Sequence, residues 1–303
     1  MQEFDSSLLK NLYRPASDSH KGQNGKLLIV GGSQLFHAAS LWALAVASRI
    51  VDMVFYSSVP TNNEIVKRAK KEFRNGIVVP RSKVENYIKE ADCVLIGPGL
   101  PRPEGQEEGD DDTKEMTERL FRSHPEKKWV VDGGSLQTID PEVLRSLKTV
   151  PILTPHRKEF EILKLKTQNS KLKTTTQKSK IEEQVELFSK EYNCVILLKG
   201  EYDVVCGPFD SGSTSLTIAQ GEIRCNRISG GNPGMTKGGT GDVLAGLVAA
   251  LYCKNDSFLS ACAGSYINKK AGESLEKKMG IYFNASDLAN EIPHVMKDLL
   301  LFP

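Results

Sequence analysis

Six short apolar runs recur along the chain: Lys26 to Val30, Met53 to Tyr56, Cys93 to Ile96, Trp129 to Val131, Pro151 to Leu153 and Cys194 to Leu198. They carry few charges inside, as strands covered by helices on both faces do, and the segments between them are long enough for crossovers. This pattern predicts a mostly parallel central sheet flanked by helices, an α/β doubly wound domain. Four of the runs end in small or turn-forming residues: Val30 in Gly31-Gly32-Ser33, Ile96 in Gly97-Pro98-Gly99, Val131 in Asp132-Gly133-Gly134 and Leu198 in Lys199-Gly200. Ligands of open α/β sheets bind at the carboxyl ends of the strands, so these turns are expected to face one crevice.

The longest apolar stretches, Ala38 to Ala47 and Val243 to Cys253, are Ala-rich and too short for the roughly 20 residues that span a bilayer. The opening Met1-Gln2-Glu3-Phe4-Asp5 places acids where a secretory signal carries positive charge, so a cytoplasmic protein is expected, with no membrane partner. At 303 residues, 39% hydrophobic and 26% charged, the chain has the material of a sizeable globular core, which excludes wholesale disorder and fibrous repeats. Its 40 basic and 38 acidic residues nearly cancel, so no nucleic-acid partner is expected and any phosphate is bound locally. Six cysteines lie scattered without a Cys-x-x-Cys pair and read as small buried hydrophobes rather than as a zinc site or disulfide framework. Residues 102–118 hold eight acids against two bases, and residues 164–180 hold six lysines and no acid. Both read as surface insertions of a single domain covering 1–303.

The sharpest chemical feature is Asn232-Pro233-Gly234-Met235-Thr236-Lys237-Gly238-Gly239-Thr240-Gly241-Asp242, running straight into an Ala-rich helical pattern. Glycines ahead of a helix let the backbone turn tightly, and the helix N-terminus adds about half a positive charge. Gly238, Gly239, Thr240 and Gly241 therefore form a candidate anion hole. Asp242, beside it, is either a helix cap or a base that takes the proton of a hydroxyl attacking a phosphoryl group. A Walker-type P-loop and a complete dinucleotide fingerprint are both absent. Lys199, an ammonium at a strand end, suits phosphate, or else lies along the surface.

The segment ending in Asp242 resembles the carboxy-terminal signature of the NAD(P)H-hydrate dehydratases, relatives of the ribokinase superfamily. The resemblance extends through His20-Lys21-Gly22, Gly97-Pro98-Gly99-Leu100, Thr154-Pro155-His156 with Glu159-Phe160, and Leu198-Lys199-Gly200, in the family's order, from about residue 14 to 300. It implies a three-layer ribokinase-like fold and a lyase that restores NADH or NADPH from the hydrated coenzyme, with ADP or ATP as phosphoryl donor and Mg²⁺ as cofactor. ADP is slightly the favoured donor. In the family scheme the ring hydroxyl is phosphorylated and phosphate then leaves.

By the same resemblance Asp242 is the catalytic and substrate-contacting aspartate. Lys199, Gly200, Glu201, Tyr202, Asp203 and Gly241 contact the nucleotide, while Ala39, Gly99 and His156 contact the hydrate. Asp132 matches a strand-end acid that would reach the metal through water or cap a loop, and relatives are often tetramers; Glu159, three residues after His156, reads as a first-turn helix acid, or else orients the lysine-rich region or touches the metal site. Ala38-Ala39-Ser40 and Arg49-Ile50-Val51-Asp52 depart from the family's glycine-containing pieces, which bears on the substrate pocket. The amino-terminal epimerase domain of many relatives is not expected, with barely twenty residues before His20. Two other readings stand beside this one: a kinase for a hydroxymethylpyrimidine- or thiazole-type alcohol, and a non-catalytic nucleotide sensor.

Overall fold

A computed structural model of the chain describes residues 1–69, 75–168, 180–208 and 223–301. Its strands are β1 (Gln2–Glu3), β2 (Lys26–Val30), β3 (Met53–Ser57), β4 (Ile77–Val78), β5 (Cys93–Ile96), β6 (Lys128–Val131), β7 (Ile152–Leu153), β8 (Val195–Leu198), β9 (Asp203–Pro208) and β10 (Ile223–Ile228). Its helices are α1 (Ala38–Ala47), α2 (Pro60–Ala69), α3 (Val84–Glu90), α4 (Thr113–Ser123), α5 (Gly133–Thr138), α6 (Arg157–Lys166), α7 (Ile181–Tyr192), α8 (Thr240–Tyr252), α9 (Ser257–Met279) and α10 (Ala285–Leu301).

All six apolar runs are strands of one sheet, in the order β1-β10-β9-β8-β7-β6-β5-β2-β3-β4. Every pairing is parallel except those of β9, which runs against both β8 and β10. The physical reason is length: the four residues from Lys199 to Tyr202 are too few for a crossover, so the chain must turn straight back. The expected α/β layers are present. Leu27 and Ile29 of β2 face a core with α1, α8, α9 and α10, and Leu28 and Val30 face a second core with Phe121, Phe160 and Phe188. With both faces covered, alternation vanishes and the strands read as continuous apolar runs. From β2 the chain builds outward to β4, then returns to place β5 on the other side of β2. That reversal is the topological switch point where such sheets bind ligands.

Several sequence expectations change. Cys206 and Cys225 form a disulfide, Cα to Cα 4.2 Å, while Cys93, Cys194, Cys253 and Cys262 are free and buried. The antiparallel register sets 206 and 225 directly opposite each other, a pairing invisible while β9 and β10 were not read as strands. Their sequences hide them: β10 is half polar and β9 contains Gly207 and Pro208. The acidic segment 102–118 is a loop only as far as Asp112, whose side chain accepts from the Glu115 N–H at the start of α4. From Thr113 it is helix, with Met116, Thr117 and Glu118 buried, so part of its acid content complements a helix dipole. In the lysine-rich segment, Lys164 and Lys166 end α6, Lys164 is buried against Gln184, and residues 169–179 lie outside the described residues. The His20-Lys21-Gly22 motif lies at the amino edge of the sheet, where Gly22 N donates to Asp52 Oδ2 at 2.7 Å, and not in the crevice. Val51 packs in the core near Gly25 at that same edge, so this departure from the family does not touch the crevice either. Among the described residues no helix is long and apolar enough to cross a membrane.

The two Ala-rich stretches are α1 and α8, which pack against each other at Gly246. A Cβ added there would lie 2.6 Å from Ala43 Cα and 2.7 Å from Ala43 O. Gly246→Ala gains about 1 kcal/mol of helix propensity but forces backbone apart, a cost of about 1–3 kcal/mol. The clash wins, so the variant is expected to unfold at lower denaturant concentration than the native chain; an unchanged or higher midpoint refutes the close crossing.

Candidate active site

The carboxyl edge of the sheet is held by a few tight turns. Gly97, after β5, adopts φ +118°, and a Cβ on it would lie 1.8 Å from the Asp132 carbonyl oxygen, so only glycine lets the β5 and β6 turns close together. Asp132 precedes α5 but caps nothing. Its Oδ1 instead accepts from Thr154 Oγ1 at 2.7 Å and from Lys199 Nζ at 2.9 Å. Lys199 N donates to Pro155 O at 2.8 Å, and His156 and Lys199 pair as neighbours in parallel. The ends of β6, β7 and β8 are thereby stitched into one rim. Burial works to lower the Lys199 pKa, but the carboxylates of Asp132, Glu159 and Asp242 outweigh it and raise it above the usual lysine value. Lys199 is thus a paired, inward cation rather than a lysine lying along the surface.

Opposite the rim stands the N-terminus of α8. Gly239 is the N-cap at φ +94°, and a Cβ there would lie 2.4 Å from the Trp42 ring of α1, so α1 fixes where the helix starts. Asp242 is the third residue of the helix and not its cap. Thr240 Oγ1 donates to Met235 O at 2.7 Å and Lys237 O at 2.8 Å, and its N–H to Lys237 O at 3.3 Å. Thr240 therefore braces the loop, and the donors left for an anion belong to its glycine neighbours. A Cβ at Gly241 would lie 3.4 Å from Lys199 Nζ, which places the ammonium against the helix start. Burial, and after it the charge of Asp132, push the Asp242 carboxyl up to about 7, with Lys199 opposing.

His156 caps α6: its Nδ1 accepts from Glu159 N at 3.2 Å, and Glu159 Oε2 accepts from His156 N at 2.8 Å. Glu159 Oε1 also accepts from Gln137 Nε2 at 3.0 Å, so this buried acid is structural. The cap occupies Nδ1 and leaves the half-exposed imidazole its Nε2–H as donor. Ala39, at the start of α1, meets Gly99: a Cβ on Gly99 would lie 3.1 Å from Ala39 Cβ and 2.9 Å from Phe36 O.

On the other side of Lys199 and Gly241 lies a cavity of about 760 Å³, lined on one wall by Lys199, Gly200, Glu201, Tyr202 and Asp203 and opposite by the segment Ser229–Pro233 with Met235. The Asp203 carboxylate is engaged within the wall, accepting from Gly200 N at 3.0 Å and Ser265 Oγ at 2.7 Å. Lys269 lies 3.3 Å from Asp203 and donates to the carbonyls of Glu201 at 3.2 Å and Gly230 at 3.3 Å, tying both walls. Sequence reasoning missed Lys269 and Asn268, although polar residues at 265, 268 and 269 interrupt a buried stripe of small residues in α9. The Arg227 guanidinium, 3.9 Å over the Tyr202 ring at the cavity wall, also gave no motif signal.

A sequence model of the NAD(P)H-hydrate dehydratase family matches residues 27–294. The chain belongs to the NAD(P)H-hydrate dehydratase family. It is 33% identical over 301 residues to an ADP-dependent (S)-NAD(P)H-hydrate dehydratase of Nitrosopumilus maritimus, covering 93% of this chain and 91% of that one. It is 34% identical over 297 residues to a bifunctional NAD(P)H-hydrate repair enzyme of Methanocaldococcus jannaschii, covering 95% of this chain and 51% of that protein. The chain thus spans about half the length of this and other bifunctional relatives. A solved ADP/ATP-dependent NAD(P)H-hydrate dehydratase of Bacillus subtilis, co-crystallised with ATP and Mg²⁺, superposes with TM-score 0.71 at 20% identity, covering 98% of each chain. Ribokinase of Arabidopsis thaliana superposes with TM-score 0.55 at 12% identity, covering 91% of this chain and 99% of that one. The family's ribokinase-like fold is therefore the fold of this chain.

Asp242, raised in the folded state, favours folding only while protonated. Its contribution is full below the ordinary carboxyl value and is lost as pH rises through about 7. Asp242→Asn, neutral throughout, is expected to melt higher than the native protein at pH 8, with the gap narrowing as pH falls from 7 towards 4. Thermal melts across that range check it, and a gap independent of pH would contradict the raised value.

Proposed function

We propose that the chain is a hydro-lyase of metabolite repair, which uses ADP or ATP to restore NADH and NADPH from their hydrated forms. The observation that carries this reading is the convergence of Asp132, Lys199 and Asp242 on the start of α8, beside a nucleotide-sized cavity that opens on Lys199 and Gly241. The nucleotide occupies that cavity against Lys199–Asp203, with its transferring phosphoryl group towards Gly238, Gly239 and Gly241. Hydrate lies on the other side, between Asp242, the Ala39–Gly99 contact and the His156 Nε2–H.

In the forward step the Asp242 carboxylate takes the proton of the ring hydroxyl as that oxygen attacks the terminal phosphorus. The bond to the bridging oxygen breaks and AMP or ADP leaves. Backbone N–H groups of the glycine turn and the helix N-terminus take up the charge on the phosphoryl oxygens, and Lys199 pairs with them. Phosphate then departs from the ring with its C–O bonding pair, and a proton leaves the neighbouring ring carbon to close the double bond. A pKa near 7 suits this base, which is ionised in a substantial fraction near neutral pH yet basic enough to accept a proton.

Mg²⁺ fits the residues present only with help from the substrates. Among the described residues no three His, Cys, Asp or Glu side chains converge, but Asp132 and Asp242 offer carboxylates to an ion that keeps most of its waters and takes phosphate oxygens. When bound, it neutralises phosphate charge.

Hydrated NADH, incubated with the protein, Mg²⁺ and either ADP or ATP, is expected to regain the NADH absorbance. Asp242→Asn lowers the rate by roughly 10²–10⁴-fold while nucleotide binding persists, and native kcat/KM rises between pH 6 and 8 and levels above. Full activity in Asp242→Asn removes the assigned base, and no recovery with either donor removes the function.

A further inference from the structure

Among the described residues, the cavity beside Lys199 is lined by a buried polar side chain whose oxygen has no partner. Asn268, on α9, lines the cavity and is 5% exposed, yet its Oδ1 has no hydrogen-bond partner among the described residues. Its neighbours are fully engaged: Ser265 donates to Asp203, and Lys269 pairs with Asp203 and spans three carbonyl groups. A buried amide left unpaired costs free energy that folding alone does not recover, so such a group in a cavity wall points to a ligand that completes it.

The position of Asn268 indicates which part of the ligand that is. Lys199 and Gly241 mark the phosphate end of the cavity. Leu244 lies one helical turn inside α8 from Gly241 and, with Met235, supplies apolar wall of the same cavity that Asn268 lines. An aromatic base fits between such walls. Adenine presents its 6-amino donor beside a ring-nitrogen acceptor, the complement of a primary amide, and asparagine reads adenine in this bidentate way in other settings. A slight turn of the side chain, or exchange of its two amide ends, brings donor and acceptor to face the base.

We propose that Asn268 is the residue that selects adenine among bases, by hydrogen bonding its side-chain amide to the 6-amino group and the adjacent ring nitrogen of the bound nucleotide. This rests on the assignment of the cavity to the adenine nucleotide. Lys269, held by Asp203 and the loop carbonyls, is the positioning residue that fixes the helix register from which Asn268 acts.

The test pairs a change in the protein with a change in the ligand. ADP and purine riboside 5′-diphosphate, which lacks the 6-amino group, are titrated by calorimetry into the native protein and into Asn268→Leu and Asn268→Ala. The native protein is expected to bind ADP on the order of ten-fold or more tighter than the analogue, a preference that both variants lose. Because the native amide oxygen has no partner among the described residues, the free Asn268→Leu protein is expected to melt no lower than native. A merely structural asparagine would instead lower the melting temperature and leave the ratio of affinities alone. Retention of the ADP preference in both folded variants overturns the proposal while leaving the nucleotide cavity in place. Native protein that binds neither nucleotide removes the assignment of the cavity itself.

Discussion

The ion pair between Asp132 and Lys199 is the contact on which the rest of the crevice depends. A buried carboxylate without a counter-charge is costly, and a lysine brought inward without one would shed its proton. Together, at 2.9 Å and with Thr154 as third partner, they draw the ends of β6, β7 and β8 into one rim. The pair is incomplete as a charge balance. Asp242 adds a second carboxylate beside the same cation, and burial, then the charge of Asp132, raise its proton affinity against the opposing pull of Lys199. The carboxyl that most needs a raised pKa for proton transfer is the one left over from a structural pairing.

A division of labour runs through the whole edge. Charged groups that look catalytic in isolation hold the scaffold: Glu159 completes the cap of α6, Asp203 closes the Lys199–Tyr202 turn, and Lys269 bolts that turn to the loop after β10. The groups that face the crevice stand on those supports: the glycine N–H groups, the Lys199 ammonium paired with Asp132, the Asp242 carboxyl, and the His156 Nε2, 3.6 Å from Glu159 Oε1. Thr240 shows how fine the boundary is, since it sits among the anion donors yet spends both its hydroxyl and its N–H on loop carbonyls.

Much of this was legible in the residues. Apolar runs with turn residues behind them located six strands and the edge that carries the site, because both sheet faces are covered. The glycine turn before Asp242 announced a helix start that needs positive φ. What stayed hidden depends on tertiary register. Arg227 and Cys225 lie on a strand too polar to recognise, and their meaning comes from β9 running backwards beside it. Asn268 and Lys269 carry no motif, and their burial at 5% and 6% exposure follows only from how α9 packs against the sheet. Net charge misled in residues 113–118, where acids begin a helix rather than solvate a loop.

The Cys206–Cys225 bridge joins two strands that are 19 residues apart in sequence. It makes a covalent ring of everything between them. A protease cutting one peptide bond inside that ring would lengthen no diffusion path between the strands and release no fragment. β9 and β10, with the cavity walls they carry, would stay covalently joined through sulfur alone, in addition to the antiparallel ladder that pairs them, and reduction of the bridge would leave only that ladder.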